Sequence, residues 1–489
     1  MNPEASRCLL CKKPKCALQG CPVHTPVPEC MLLYRQGQLE EAGRMLFANN
    51  PLSAVTSQVC DWKQFCYGHC VLNVKQVPVK WYEIEQEISG AYLFRHRLER
   101  KSGEMEGKRI AVVGAGPAGI AATVWLFEMG ADVHLYDANP RMGGVLRYGI
   151  PAFRLDKKYC DAYDKMFADA GISFHGNVEV GKEVTLKALS AQYDAVLVAA
   201  GAETPATLGI PGEENSVQAL PFLKNPEAFA LGKKVIVIGG GNVAMDVTRS
   251  AVRLGAKKVS CVYRRRVEDM TALPDEVTGA MAEGAELVTL SAPVRIEADE
   301  NGNAAALWVQ PQIIGEADKT GRPRPGKADL PERRIPADII VVAIGQGIEI
   351  AGFEQAGVPV KRGGTFMAEL DCQVGTMDNV FAGGDCVTGP ATAIRAIAAG
   401  KVAAANIDTH LGYRHEIEVD VDIPMPRLNN RPPHGRINTS EREANERRSD
   451  FEDIEIGLTC QGACTEASRC LRCDHFGYGI FRGGRSRKW

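Results

Sequence analysis

The sixteen cysteines of this sequence are grouped in a way that points to chemistry. Cys8, Cys11, Cys16, Cys21, Cys30, Cys60, Cys66 and Cys70 precede residue 71, and Cys460, Cys464, Cys470 and Cys473 form a second group. Only Cys160, Cys261, Cys372 and Cys386 occupy the long middle. Clustered thiolates are ligands for iron–sulfur clusters or zinc. Disulfides are the competing use. The sequence argues against them, because no apolar signal segment is evident and the cysteines flank motifs of intracellular cofactor enzymes, so a reducing, cytoplasmic setting is expected. The stretch EASRCLLC at Glu4–Cys11 returns as EASRCLRC at Glu466–Cys473.

Two glycine turns lie between these copies. Gly114-Ala115-Gly116-Pro117-Ala118-Gly119 follows the apolar run Arg109–Val113 and precedes a helical pattern, Ile120–Met129. A turn of this kind lets the backbone approach a pyrophosphate and presents the phosphates to the positive end of a helix. The next strand, Asp132–Tyr136, ends at Asp137, 18 residues beyond Gly119 and placed for a ribose hydroxyl. The second turn, Gly239-Gly240-Gly241-Asn242-Val243-Ala244, sits between the strand Val235–Ile238 and a helix through Arg253. Its second strand, Val259–Tyr263, is followed by Arg264-Arg265-Arg266 in place of an acid. Guanidinium groups there pair with a 2′-phosphate, which favours NADP(H) over NAD(H). The alternative is a solvated arginine loop, since only some of three adjacent arginines can face one ligand.

The elements that hold these motifs follow from texture. Met1–Gly107 reads as a small helical domain wrapped around metal, and at Lys108 the pattern changes to strand, turn and helix. Asp338–Ile344 is a further buried strand, Val380–Ala382 leads into GGDC, and Pro424–Pro433 reads as a linker to a C-terminal tail. With 489 residues, 45% of them hydrophobic and 24% charged, the chain can fill about three packed domains. A formal charge of −3 gives no general attraction to nucleic acid or membrane. No apolar run approaches the roughly 20 residues of a membrane span. The basic end, Arg482–Trp489, reads as a solvated terminus. The four middle cysteines read as packing residues. Cys386 has no CxxC partner, and no Ser/His/Asp or paired-carboxylate arrangement stands out. Hydride transfer to a flavin needs positioning more than acid–base groups.

The segments VVGAGPAGIAA, YDANPRMGGVLRYGIPAFRL, VIGGGNVAMDV, VYRRRVEDM, AIGQ and VFAGGDCVTGPATAIRAIAAGKVAA, in that order, resemble the small subunit of NADPH-dependent glutamate synthase. They are equally similar to the N-terminal part of dihydropyrimidine dehydrogenase and to the NADP-binding subunit of electron-bifurcating ferredoxin:NADP oxidoreductases, over about Arg7 to Asn406. The resemblance implies an α/β protein with two Rossmann-like domains, the NADP domain inserted in the FAD domain, behind a helical iron–sulfur domain. The expected division is 1–107 for the helical domain, 108–230 and 351–415 for the two parts of the FAD domain, 231–350 for the NADP domain, and 416–489 for linker and Cys-rich tail.

By the same resemblance, Gly114, Gly116, Ala118, Gly119, Asp137, Arg141, Gly144, Leu146, Arg154 and Gly201 hold FAD, with Gly384, Asp385, Ala391, Thr392 and Ala393 around its ribityl chain and ring. Gly240, Gly241, Asn242, Val243, Arg264, Arg265 and Gly345 serve NADP. Cys8, Cys11, Cys16 and Cys70 hold one [4Fe–4S] cluster; Cys21, Cys60 and Cys66 hold another. Glu85 is expected as the latter's fourth ligand, with Cys30 the competitor.

The tail departs from the glutamate synthase pattern. Asp450-Phe451-Glu452-Asp453-Ile454-Glu455-Ile456-Gly457 precedes the second cysteine box, whereas in bifurcating relatives a similar stretch precedes the first cluster. Cys460, Cys464, Cys470 and Cys473 complete a four-thiolate site for a further iron–sulfur cluster or for zinc. The expectation is an electron-transfer subunit of a multisubunit flavoenzyme, passing electrons between NADP(H), FAD and clusters and a partner subunit or ferredoxin, with an electron-bifurcating complex as first reading. Glutamate synthase small subunit is the second reading, and a non-redox structural subunit with bound nucleotides the third.

Overall fold

A computed structural model of the chain describes residues 4–229, 234–317, 323–375, 377–415, 440–457 and 459. The tail cysteines Cys460, Cys464, Cys470 and Cys473 lie outside the described residues.

The N-terminal domain is built on helices Val27–Arg35, Leu39–Asn49, Ser53–Val59 and Trp81–Leu93. Leu39–Asn49 shows why these sequences are helical. Glu40 and Glu41 sit in its first turn, where the helix dipole favours acids, and Ala42, Met45 and Leu46 recur at helical spacing on its buried face. That face packs with Met31, Leu32, Leu33, Ile84 and Ile88.

The first large sheet runs Gln373–Val374, Met377–Ala382, Ala195–Val198, Arg109–Val113, Asp132–Asp137 and Ser173–Gly176. Every pair is parallel except the Gln373–Val374 edge. Ile110–Val113 and Ala195–Val198 are buried throughout, as expected of strands covered on both faces. Helices Pro117–Glu128 and Ala393–His410 cross on one face, so closely that a Cβ on Gly400 would stand 2.2 Å from the Ala118 carbonyl oxygen. The N-terminal domain joins this layer in one core containing Phe47, Leu52, Val55, Trp125 and Ile394. Trp125 Nε1 donates to the Ala48 carbonyl at 3.0 Å, and Tyr163 Oη donates to that of Pro51 at 2.7 Å.

The second sheet is wholly parallel, in the order Val217–Gln218, Ile339–Val342, Lys234–Ile238, Lys258–Val262, Glu286–Val288. Its strands fall in sequence between Ala195–Val198 and Gln373–Val374 of the first sheet, so one nucleotide-binding fold is inserted into the other. An antiparallel ribbon, Ser291–Ala298, Ala304–Ala317, Pro323–Lys327 and Arg333–Pro336, is an addition that the sequence reading does not contain. It covers one face of the second sheet, placing Ile296, Leu307 and Val309 against Ile236, Ile238, Val262 and Val342. Ser440–Glu441 and Glu455–Ile456 pair antiparallel in the C-terminal segment. Among the described residues no helix is long and apolar enough to cross a membrane.

Candidate functional site

The first glycine turn is shaped by two opposed requirements. A Cβ at Gly114 would meet the Ala199 carbonyl oxygen at 2.3 Å and one at Gly119 would meet that of Gly114 at 1.8 Å, whereas a Cβ at Gly116 would meet nothing within 4 Å. The turn is therefore locked to the sheet on one side and open on the other, at the start of helix Pro117–Glu128, whose first turn holds no acid. An opening of this kind at a helix start can take an anion. Asp137 stands beside it and accepts the Ala115 N–H at 2.7 Å through Oδ2 and the Asn139 N–H at 2.7 Å through Oδ1. Gly144 abuts Gly116, Leu146 is buried, and Gly201 holds a φ of 71°.

Glu203 is an acid that the motif reading misses. Burial, and next the nearby Asp137, raise its pKa. No local pattern announces it, because it arrives on the loop after Ala195–Val198, whose register against Arg109–Val113 carries that loop to the site.

At the same C-terminal end of this sheet, after the parallel strand Met377–Ala382, Gly384 takes a φ of 83° and begins the short turn Asp385–Thr388. Burial raises Asp385 to about 6, opposed by a hydrogen bond with the backbone of Ala391. Thr392 Oγ1 is buried without a hydrogen-bond partner among the described residues, although Thr392 caps the 18-residue helix Ala393–His410. An acid whose pKa is raised by burial, a hydroxyl without a partner among the described residues and an open helix start fit the polyol and pyrophosphate of FAD. Two expected flavin residues are otherwise engaged. Arg141 pairs with Asp161 and Asp164, each at 2.6 Å. Arg154 pairs with Asp246 at 2.9 Å and Glu276 at 3.3 Å, bridging the two nucleotide-binding units.

The second glycine turn repeats the first. Gly241 precedes helix Asn242–Arg253, again without an acid in its first turn, and a Cβ at Gly240 would strike the Tyr263 ring at 2.5 Å. Asn242 Oδ1 accepts the Leu273 N–H at 2.8 Å, and a Cβ at Gly241 would meet only Thr271 Oγ1, at 3.5 Å. Gly345 closes the neighbouring strand end with a φ of 138°. The three arginines have separate fates. Arg266 is held by Asp269 at 3.0 Å, Arg265 donates through Nε to the Pro323 carbonyl at 3.0 Å, and Arg264 is exposed with no hydrogen bond or ion pair to a described residue. Arg264 is thus the one of the three left uncommitted among the described residues.

The N-terminal cysteines fall into two adjoining cavities. Cys8, Cys11, Cys16, Cys66 and Cys70 line one of about 30 Å³; Cys21, Cys60, Cys66 and Glu85 line another of about 20 Å³. Cys66 and Trp81 wall both. Burial pushes the Cys8 thiol up to about 12, and it pushes Cys16, Cys60 and Cys66 well above the ordinary range, with neighbouring thiols adding to the shift. Burial raises the Glu85 carboxyl to about 8. Such a crowd of buried acids is neutral without a cation and ionises when metal charge compensates it. Thiolate-rich donor sets of this kind are ligand sets for iron–sulfur clusters or zinc. Cys30 is fully buried in the helical core and lines neither cavity, whereas Glu85 lines the inner one.

The inner cavity also has Ile394 in its wall, two residues beyond the orphaned Thr392 hydroxyl. A separate cavity of about 540 Å³ lies where the N-terminal domain, both nucleotide-binding units and the C-terminal segment meet, with Cys60, Arg154, Arg249 and Gly457 among its walls. Arg447 from that segment joins Arg249 and Arg253 around the fully buried Glu283.

These arrangements have relatives. Residues 108–400 match the family model described as pyridine nucleotide-disulphide oxidoreductase, and residues 1–94 match dihydropyrimidine dehydrogenase domain II, 4Fe-4S cluster. The chain belongs to the pyridine nucleotide-disulphide oxidoreductase family. It is 34% identical over 443 residues to the glutamate synthase [NADPH] small chain of Azospirillum brasilense, covering 86% of this chain and 91% of that one. It is 35% identical to the putative oxidoreductase AegA of Escherichia coli over 84% of this chain, and spans 66% of AegA's length. It is 31% identical to the NADP(+)-dependent formate dehydrogenase subunit beta of Moorella thermoacetica, over 95% of this chain and 71% of that one. Among solved structures, FprA of Mycobacterium tuberculosis in complex with NADPH superimposes with a TM-score of 0.53 at 21% identity, covering 62% of this chain and 85% of that chain, a likeness of fold. The protein is therefore a pyridine-nucleotide oxidoreductase with an N-terminal domain of the 4Fe-4S kind.

Proposed function

We propose that this chain is the electron-input subunit of a cytoplasmic heteromeric complex, taking electrons from NADPH and handing them singly to a partner. The observation that carries this reading is the sequence of sites: the Thr392 end of the flavin cradle adjoins Ile394, Ile394 walls the inner cysteine cavity, and Cys66 joins that cavity to the outer one. FAD when bound there would accept a hydride and release electrons one at a time, and the clusters would carry them.

The protein's own residues supply placement. The turns at Gly116 and Gly241 offer N–H groups and helix ends to two pyrophosphates. Asp137 and Glu203 would hold the first ribose, and Arg264 the 2′-phosphate of NADPH. Asp385 and Thr392 would take the polyol and ring. Cys8, Cys11, Cys16 and Cys70 would hold the outer cluster, with Cys21, Cys60, Cys66 and Glu85 on the inner one.

The finer assignment is a subunit of an electron-bifurcating ferredoxin/NAD(P) oxidoreductase. What supports it is the tail sequence, the stretch Asp450–Gly457 before a second cysteine box; the match to the formate dehydrogenase subunit beta, over 95% of the chain, also reaches into residues 416–489. A third metal site at Cys460, Cys464, Cys470 and Cys473 belongs to this proposal. The glutamate synthase reading draws on higher identity over a shorter share of the chain. The deciding experiment is anaerobic purification from the native source: copurifying redox subunits support the proposal, and a chain that isolates alone and passes no electrons from NADPH beyond its flavin refutes it.

A further inference from the structure

The outer cysteine cavity opens on a rim of unusual composition. Residues 9–19 and 69–79 frame it, and they carry Lys12, Lys13, Lys15 and Lys75, all exposed, with no Asp or Glu, in a chain of net charge −3. None of these four lysines is engaged in an ion pair or hydrogen bond through its side chain among the described residues. Between them stand the large apolar side chains Leu18, Val74 and Val77, exposed by 54%, 82% and 46%. Cys11 and Cys70 are themselves part-exposed at this rim. The inner cavity differs: Phe65, Tyr82 and Ile394 in its walls are buried.

We propose that this lysine rim is the docking surface for a one-electron carrier protein with an acidic face, and that electrons leave the chain here. The inference rests on the electron-input reading above. Unpaired cations around a small apolar centre steer an acidic partner in quickly and release it quickly, as repeated single-electron delivery requires. The balance is one NADPH and two oxidised carriers giving NADP⁺, one proton and two carriers each reduced by one electron.

The test uses the full-length holoprotein and, as probe, a small acidic [2Fe–2S] ferredoxin. Calorimetric Kd values are measured without turnover at low and high salt, for wild type, for Lys12→Glu/Lys13→Glu/Lys15→Glu, and for Lys75→Glu on the opposite loop. The wild-type Kd should weaken as salt rises, the triple variant should lose about tenfold or more, and Lys75→Glu should lose several-fold. Iron content and NADPH-driven flavin bleaching should be unchanged, and delivery to basic cytochrome c should rise. Ferredoxin bound equally by wild type and Lys75→Glu, or a wild type that binds anionic phospholipid vesicles but no ferredoxin, overturns the proposal. A wild type whose flavin NADPH cannot bleach refutes the electron-input reading, and the calorimetry still decides the docking surface.

Discussion

Replacing Arg264 with alanine should separate NADPH from NADH. Of the three adjacent arginines, Arg266 is already held by Asp269 and Arg265 is tethered to the Pro323 carbonyl, whereas Arg264 is exposed and uncommitted among the described residues. A charge-assisted hydrogen bond to the 2′-phosphate contributes roughly 1.5–3 kcal/mol, so Arg264→Ala should weaken NADPH by about ten- to a hundredfold. NADH, which has no 2′-phosphate, should bind as before. Arg266→Ala should leave the preference close to wild type. The assay is stopped-flow flavin reduction against nucleotide concentration, with apparent Kd read for both nucleotides. Equal losses for NADPH and NADH, or no loss for either, would refute the argument.

Further outcomes follow from the same geometry. Asp385 holds its proton to about pH 6 in the fold, against an ordinary value near 3.8, so flavin-free protein binds more protons than its unfolded chain between those values and loses stability as pH rises through that window. Asp385→Asn should remove that slope, worth at most roughly 3 kcal/mol by pH 8, in denaturant titrations, and weaken FAD binding. Arg154→Met should leave the buried Asp246 short of a partner and cost about 3–5 kcal/mol, read by thermal unfolding. Glu85→Ala should alter the spectrum of one N-terminal cluster while the other is retained, as anaerobic EPR would show; two unchanged clusters would remove Glu85 as a ligand. Cys470→Ala/Cys473→Ala should lose iron and sulfide but keep NADPH-driven bleaching, whereas loss of zinc with iron unaltered would make the tail site structural.

Much of this architecture was legible in the chain. Strand, glycine turn and helix followed one another twice, and an acid ended one second strand where arginines followed the other. What escaped was whatever depends on distant segments meeting. Glu203 reaches Asp137 only because the parallel sheet places Ala195–Val198 beside Arg109–Val113. Arg154 sits in a segment resembling a flavin motif, yet Asp246 and Glu276, roughly a hundred residues on, claim its guanidinium. The antiparallel ribbon carries prolines and charges that blur period-two alternation, and its long strand Ala304–Ala317 reads as no simple pattern. Ile394 joins the wall of a cysteine cavity that begins at Cys21, a contact no local spacing encodes.

The central claim is that NADPH electrons pass through a flavin into the N-terminal cysteine sites. Its most direct test is an anaerobic NADPH titration of the holoprotein followed together by flavin absorbance and low-temperature EPR, in wild type and Cys60→Ala. The account predicts that NADPH bleaches the flavin in both, that wild type develops reduced iron–sulfur signals as titration proceeds, and that Cys60→Ala loses the signal of the inner site. Bleaching without any cluster signal, or cluster reduction unchanged in Cys60→Ala, would contradict it.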